Sequence, residues 1–129
     1  MLGIDNVTYN LIKKGMDVTT LSGKIINNNI ANVNTKNYKR EYVNFDEALK
    51  EENSKNYELK KTSNKHMGFS AENIEVKKDN KSSMREDGNN VDIESEMTSA
   101  ASNSLMYDAL VKQANTRFNM RSTVIKGGN

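Results

Sequence analysis

The 129-residue chain contains no cysteine, no proline and no tryptophan, and one histidine. Without cysteine there is no disulfide framework, no thiolate zinc site and no cysteine nucleophile. The lone His66 sits in the polar stretch Ser63–Gly68 with no acid pair beside it, which is a poor setting for a general base or a metal ligand. Apolar residues are scarce as well, at 35%, with 6% aromatics and a mean hydropathy of −0.82. No run approaches the roughly 18 apolar residues of a membrane-spanning helix. The first residues, Met1-Leu2-Gly3-Ile4-Asp5-Asn6, lack the charged start and apolar stretch of a cleaved secretory signal. So small an apolar share predicts a modest core, and with it an elongated or partner-dependent fold.

Strong charge of one sign is also missing. The net charge is +2. Residues 1–40 carry six basic and two acidic groups, residues 41–91 nine and eleven, and residues 92–129 four of each. A dedicated duplex-DNA binder has a stronger basic bias. A weakly basic helical nucleic-acid module using Lys13, Lys14, Lys24, Lys36, Lys39 and Arg40 is therefore an alternative reading, not the leading one. Around Gly88 a calcium loop fails, because its first and third positions would be Ser83 and Arg85. No glycine loop of the phosphate-cradling kind follows a strand. Glu51-Glu52 and Glu86-Asp87 read as solvated charge. The expectation is a chain without catalytic residues, metal or cofactor.

What the chain does have is periodicity at both ends. Ile4, Leu11, Val18 and Ile25 form one row at seven-residue spacing; Val7, Lys14, Leu21 and Asn28 form the other. This predicts an amphipathic helix ending near Val33-Asn34, with Asp5 or Thr8 suited to cap its start. Gly15, Thr19, Thr20, Ser22 and Gly23 are poor helix formers, so packing must hold it. In the C-terminal segment one row is Met97, Ser104, Val111, Phe118 and Ile125, and the other Ile93, Ala100, Tyr107, Ala114 and Arg121. Asp92 suits an N-cap, Glu94 and Glu96 fall in the first turn, and Lys126 lies near the end before Gly127-Gly128, the order a helix dipole favours. The ends should pair as an antiparallel, coiled-coil-like hairpin, a mainly α fold. Leu11, Val18, Leu21, Ile25, Met97, Tyr107, Val111, Ala114, Phe118 and Ile125 are the expected helix and subunit interfaces. The organisation expected is a helix over 1–34, a turn segment over 35–50, a polar and partly disordered middle over 51–91, and a helix over 92–129. In that middle, Ile74 and Val76 alternate with charged residues and Asp87-Gly88 signals a turn, which predicts a weak hairpin within 72–87.

The most specific local pattern follows the first helix. In Asn28–Arg40, Ala31, Asn32, Thr35 and Tyr38 resemble the "A-N-x-x-T-x-G-Y" motif of the flagellar rod, hook and hook–filament junction family. Lys36 and Asn37 stand where that motif has Pro and Gly. Asn tolerates the left-handed backbone next best after Gly, so the turn can still form, with less rigidity. Tyr38-Lys39-Arg40 with Phe45-Asp46-Glu47-Ala48-Leu49 is similar to the "Y-K-R … F-x-x-A-L" run of the proximal-rod class within that family. Asp87-Gly88-Asn89-Asn90-Val91-Asp92 with Glu96-Met97 is similar to its lead into the C-terminal helix. Tyr107-Asp108-Ala109-Leu110 resembles its "Y-x-A-L".

The resemblance covers roughly residues 1–50 and 85–126. It implies a structural subunit of the bacterial flagellar basal body that polymerises helically into the rod through its terminal helices. The implied partners are further copies of the chain, other rod proteins and the flagellar type III export apparatus, with no nucleic acid and no membrane insertion. Export would occur without a cleaved signal, and Phe45 and Leu49 resemble the short motif that engages the export gate. Another small secreted helical hairpin is the remaining alternative; it would need neither the 87–97 run nor the Tyr38 turn.

Overall fold

The computed structural model describes residues 2–50, 74–80 and 85–127. Two long helices dominate it. Helix α1 spans Leu2–Ala31. Strand β1 is Glu41–Val43 and strand β2 is Val76–Lys78. Helix α2 spans Ile93–Ile125. At ~1.5 Å per residue the helices are about 45 and 50 Å long.

The two helices pack antiparallel along their length. Asn29 meets Glu96, Asn103 reaches the Thr19 carbonyl, and the Tyr9 ring lies edge-on to Phe118 at 5.9 Å. Gly15 permits the closest approach: a Cβ there would stand 3.1 Å from a Leu110 methyl carbon. The helix starts at Leu2, so Asp5 and Thr8 lie inside the first turns and neither is the cap. It ends at Ala31, two to three residues before the expected stop, because residues 32–37 already turn. Asp92 does cap α2, its side chain accepting from the backbone N–H of Glu94 and Ser95. Past the other end, Gly127 takes the left-handed conformation (φ 76°) that relieves a helix terminus.

α1 is the central element because it buries two faces. One carries α2. The other carries β1, a helical turn over 45–50 and Ile74. Val18, Ala48 and Ile74 form the buried centre, with Leu21, Val43 and Phe45 packed around it. Ile12, Ile25, Ile26 and Val91 are buried too. Thr19, a poor helix former, is tolerated inside α1 because its hydroxyl donates to the Gly15 and Met16 carbonyls.

The short strand at 76–78 lies where alternation placed it, but its partner differs. Both arms of the hairpin do not fall within 72–87: β2 pairs antiparallel with β1, setting Glu41 opposite Lys78 and Val43 opposite Val76. The local pattern showed a strand-like segment but held nothing to say that its partner lies more than thirty residues upstream. The expectation of a flexible 51–70 segment lies outside the described residues.

Candidate functional site

The two stretches that carry the family resemblance, 31–38 and 87–92, meet in space at one end of the helix pair. They meet through side-chain-to-backbone bonds. After α1 stops at Ala31, its last carbonyls take local donors, Asn32 N–H on Asn28 and Asn29 and Val33 N–H on Ile30. The fully buried Asn89 holds the turn that follows, its Nδ2 donating to the carbonyls of Asn32 (2.8 Å), Val33 (3.0 Å) and Thr35 (2.8 Å). Arg85 adds a second donor to the Val33 carbonyl at 2.9 Å. Asn89 is itself held in an Asx turn, its N–H bonded to Asp87 Oδ1 and its own Oδ1 accepting from Val91 N–H.

Two left-handed residues face each other across this junction. Asn37 has φ 59° and Gly88 has φ 75°. The Asn37 N–H donates to the Asp87 carbonyl at 2.8 Å. A Cβ on Gly88 would fall 2.6 Å from Asn37 Oδ1, so the position is closed to a side chain both by conformation and by space. Asn90 stitches the next layer, accepting from Arg40 N–H and donating to the Asp79 carbonyl. Lys39 Nζ reaches the Gly88 carbonyl at 2.8 Å.

Beneath the turn lies a buried polar cluster. Asn29, with no exposed surface, uses all of its amide. Its Nδ2 donates to the Glu41 carbonyl and to Glu96 Oε2, and its Oδ1 accepts from Tyr38 O–H and Glu41 N–H. Glu96, also fully buried, takes Arg40 Nε on its other oxygen. Arg40 in turn lies over the Tyr42 ring, 5.7 Å from its centroid. Burial, then the nearby Glu41 and Glu96 carboxylates, raise the Tyr38 phenol above its ordinary value, against the hydrogen bond from Asn28. No buried side-chain nitrogen or oxygen among the described residues lacks a partner.

Ala31, Asn32 and Thr35 shape the turn: Asn32 Nδ2 donates back to the Asn28 carbonyl, and Thr35 Oγ1 donates to Asn32 Oδ1. Tyr38 folds back onto α1 at Asn28 and Asn29. Phe45 and Leu49 are half-buried in the helical turn over 45–50, where Phe45 reaches Gly15. On α1, Val18 and Ile25 are buried and Leu11 and Leu21 half-buried. On the first half of α2 the helix seam runs along a different row from the apolar one. Val111 and Ala114 sit half-buried on it, Phe118 keeps half its surface exposed while meeting Tyr9 of α1 edge-on, and Met97, Tyr107 and Ile125 are exposed. Over the first half of the helix the seam is carried by Glu96, Asn103 and Leu110, with Ser99, Ala100, Val111 and Ala114 half-buried beside them. Sequence reasoning passed over Glu96, Asn103 and Leu110: Glu96 reads as a first-turn acid and Asn29 as one of a run of three asparagines. The spacing 96, 103, 110 is the only signal, and two of its three members are polar.

Among the described residues no group of three or more His, Asp or Glu could hold a metal ion, and no helix is long and apolar enough to cross a membrane. The site's polar atoms are spent on closing one end of a helix pair, which is the arrangement of a structural helix-hairpin protein. No protein-family profile matches the chain. It is, however, 37% identical over 123 residues to the flagellar basal body rod protein FlgB of Bacillus subtilis (strain 168), an alignment spanning 94% of this chain and 95% of that protein. The chain belongs to the flagellar basal-body rod protein family, of the FlgB type.

Proposed function

We propose that this chain is a structural subunit of the proximal flagellar rod, that it polymerises helically through its terminal helices, and that flagellar motility depends on it. The observation that carries the reading is the surface of α2. Met97 is 62% exposed, Phe118 50% and Ile125 84%, on a helix whose only fully buried side chain is Glu96. Isolated exposed apolar residues are ordinary, but a row at seven-residue spacing is the seam of a further helix contact. At the end opposite the turn, a cavity of about 560 Å3 lined by Tyr9, Ile12, Phe118, Met120, Val124 and Ile125 adds to this open surface. A second copy covers it by heterologous contacts, which build a helical tube when they do not close into a ring.

The proposal extends to the route. The subunit passes through the flagellar type III export apparatus, with Phe45 and Leu49 as the segment the gate engages. Its partners are its own copies and other rod proteins, in the cell envelope, and it takes no cofactor and no nucleic acid. The small core supports this, since a chain that gains much of its order from neighbours is easily threaded unfolded.

Phe118→Asp tests the reading. The substitution should abolish rods in isolated basal bodies while the chain still reaches the culture medium. Normal motility in that strain overturns the assignment. Salt-dependent duplex binding by the purified chain at physiological ionic strength would favour the nucleic-acid alternative instead.

A further inference from the structure

Over its first half, α2 does not turn its more apolar row toward α1. There the row Met97, Ser104, Val111 has two apolar members of three; further along, Phe118 of the same row does meet α1, edge-on to Tyr9 at 5.9 Å. The row that enters the seam, Glu96, Asn103 and Leu110, has one of three. The two rows differ by one residue, or about 100° around the helix. Burial of apolar area alone favours the opposite choice.

Two polar contacts run against that preference. Glu96, fully buried, bonds Asn29 Nδ2 at 3.1 Å and pairs with Arg40. About two turns further along the seam, Asn103 Nδ2 donates to the Thr19 carbonyl at 2.9 Å. A buried ion pair adds little net stability, because desolvation offsets its attraction; its best-attested use is to select one packing among several. A single buried Asn does the same in coiled coils. Turning α2 by one residue would strand the Glu96 and Arg40 charges and forfeit the Asn103 bond.

We infer that Glu96 and Asn103 are orientation-setting residues. They hold the first half of α2 with its polar row inward, so that Met97 and its neighbours on that face stay outside and the subunit does not bury that part of its own assembly seam. The purpose of the device rests on the proposed assembly role; the orientation itself does not.

The chain has no native cysteine, so single thiols report the orientation directly. Ser99 is half-buried at the seam and Ser104 is exposed. In full-length chains carrying Ser99→Cys or Ser104→Cys, thiol-labelling rates are measured in dilute trimethylamine N-oxide, which favours burial. Sedimentation checks that the chain is monomeric and circular dichroism that it is helical. In the native background Cys at 104 labels faster than Cys at 99. In the Glu96→Ala/Asn103→Ala background the order inverts with helicity retained. An unchanged order overturns the inference. Loss of helicity overturns it too, because the apolar row has then failed to take over the seam. A Phe118→Asp strain that still builds rods sinks the assembly reading and leaves the labelling order unaffected.

Discussion

The side-chain amide of Asn89 donates to the main-chain carbonyl of Asn32 at 2.8 Å, so the turn after the first helix is fastened by a residue 57 positions later. Local donors close the helix end itself, Asn32 N–H on Asn28 and Asn29 and Val33 N–H on Ile30. The bonds from Asn89 tie the turn to the lead into α2, so the two segments stabilise each other.

Asn89→Ala is the direct test of that coupling. It takes the acceptor from the buried Val91 N–H, and an unsatisfied buried group costs ~1–3 kcal/mol. The three turn carbonyls each keep another donor, Thr35 N–H on Asn32, Arg85 on Val33 and Tyr38 N–H on Thr35, so the middle of that range, about 2 kcal/mol, is expected. Urea unfolding followed by far-ultraviolet circular dichroism reads it. Asn89→Asp should be as damaging, since a carboxylate has no proton to donate.

Gly88 and Asn37 should be energetically coupled. Gly88→Ala meets two costs, a left-handed φ of 75° and a Cβ placed 2.6 Å from Asn37 Oδ1. The left-handed conformation alone costs an alanine about 1 kcal/mol. Asn37→Gly removes the obstructing atom and suits the φ of 59° at that position. In a double-mutant cycle the pair Gly88→Ala/Asn37→Gly should therefore be less unstable than the two single changes predict, by about 0.5–1 kcal/mol. Strict additivity would show that the contact is relieved by rotation of the Asn37 side chain.

The two long helices and their antiparallel pairing were legible because periodicity over some thirty residues is a strong signal. The Asp92 cap and the Asp87-Gly88 turn were legible because each depends on one residue's own chemistry. The left-handed Asn37 followed from the same logic. The partner of Val76–Lys78 was hidden, since strand pairing at long range leaves no local trace. The seam of α2 was hidden for a different reason. Apolar periodicity marks where burial is most favourable, and Glu96 and Asn103 hold the helix elsewhere through partners that only the fold brings near.

Alkaline pH should loosen the turn. Burial raises the Tyr38 phenol above its ordinary 10.0, with Glu41 and Glu96 adding to the rise and Asn28 opposing it. A raised folded-state value means the native chain holds this proton longer than the unfolded chain does. The resulting stability is complete below the unfolded value and is lost as pH climbs through the folded one. Lys77, raised chiefly by its hydrogen bond to Glu47, acts in the same direction. Urea midpoints compared from about pH 9 to about pH 11 should fall in the native chain and fall less steeply in Tyr38→Phe. Equal slopes would mean that Tyr38 contributes no proton linkage.

Arg40→Ala should be among the most damaging single changes in the molecule. It leaves the Glu96 carboxylate, with no exposed surface, facing only Asn29. Removing one partner of a buried pair costs ~3–5 kcal/mol, mostly because the other charge is stranded. Arg40 keeps about a quarter of its side chain in contact with water, so the lower end of that range, about 3 kcal/mol, applies. If the stranded charge is the cause, removing it should restore much of the loss. Arg40→Ala/Glu96→Leu, which replaces the carboxylate by an apolar group of similar size, is expected to recover more than half of the stability in urea. A double variant as unstable as Arg40→Ala would place the loss elsewhere, in the stacking of Arg40 on Tyr42.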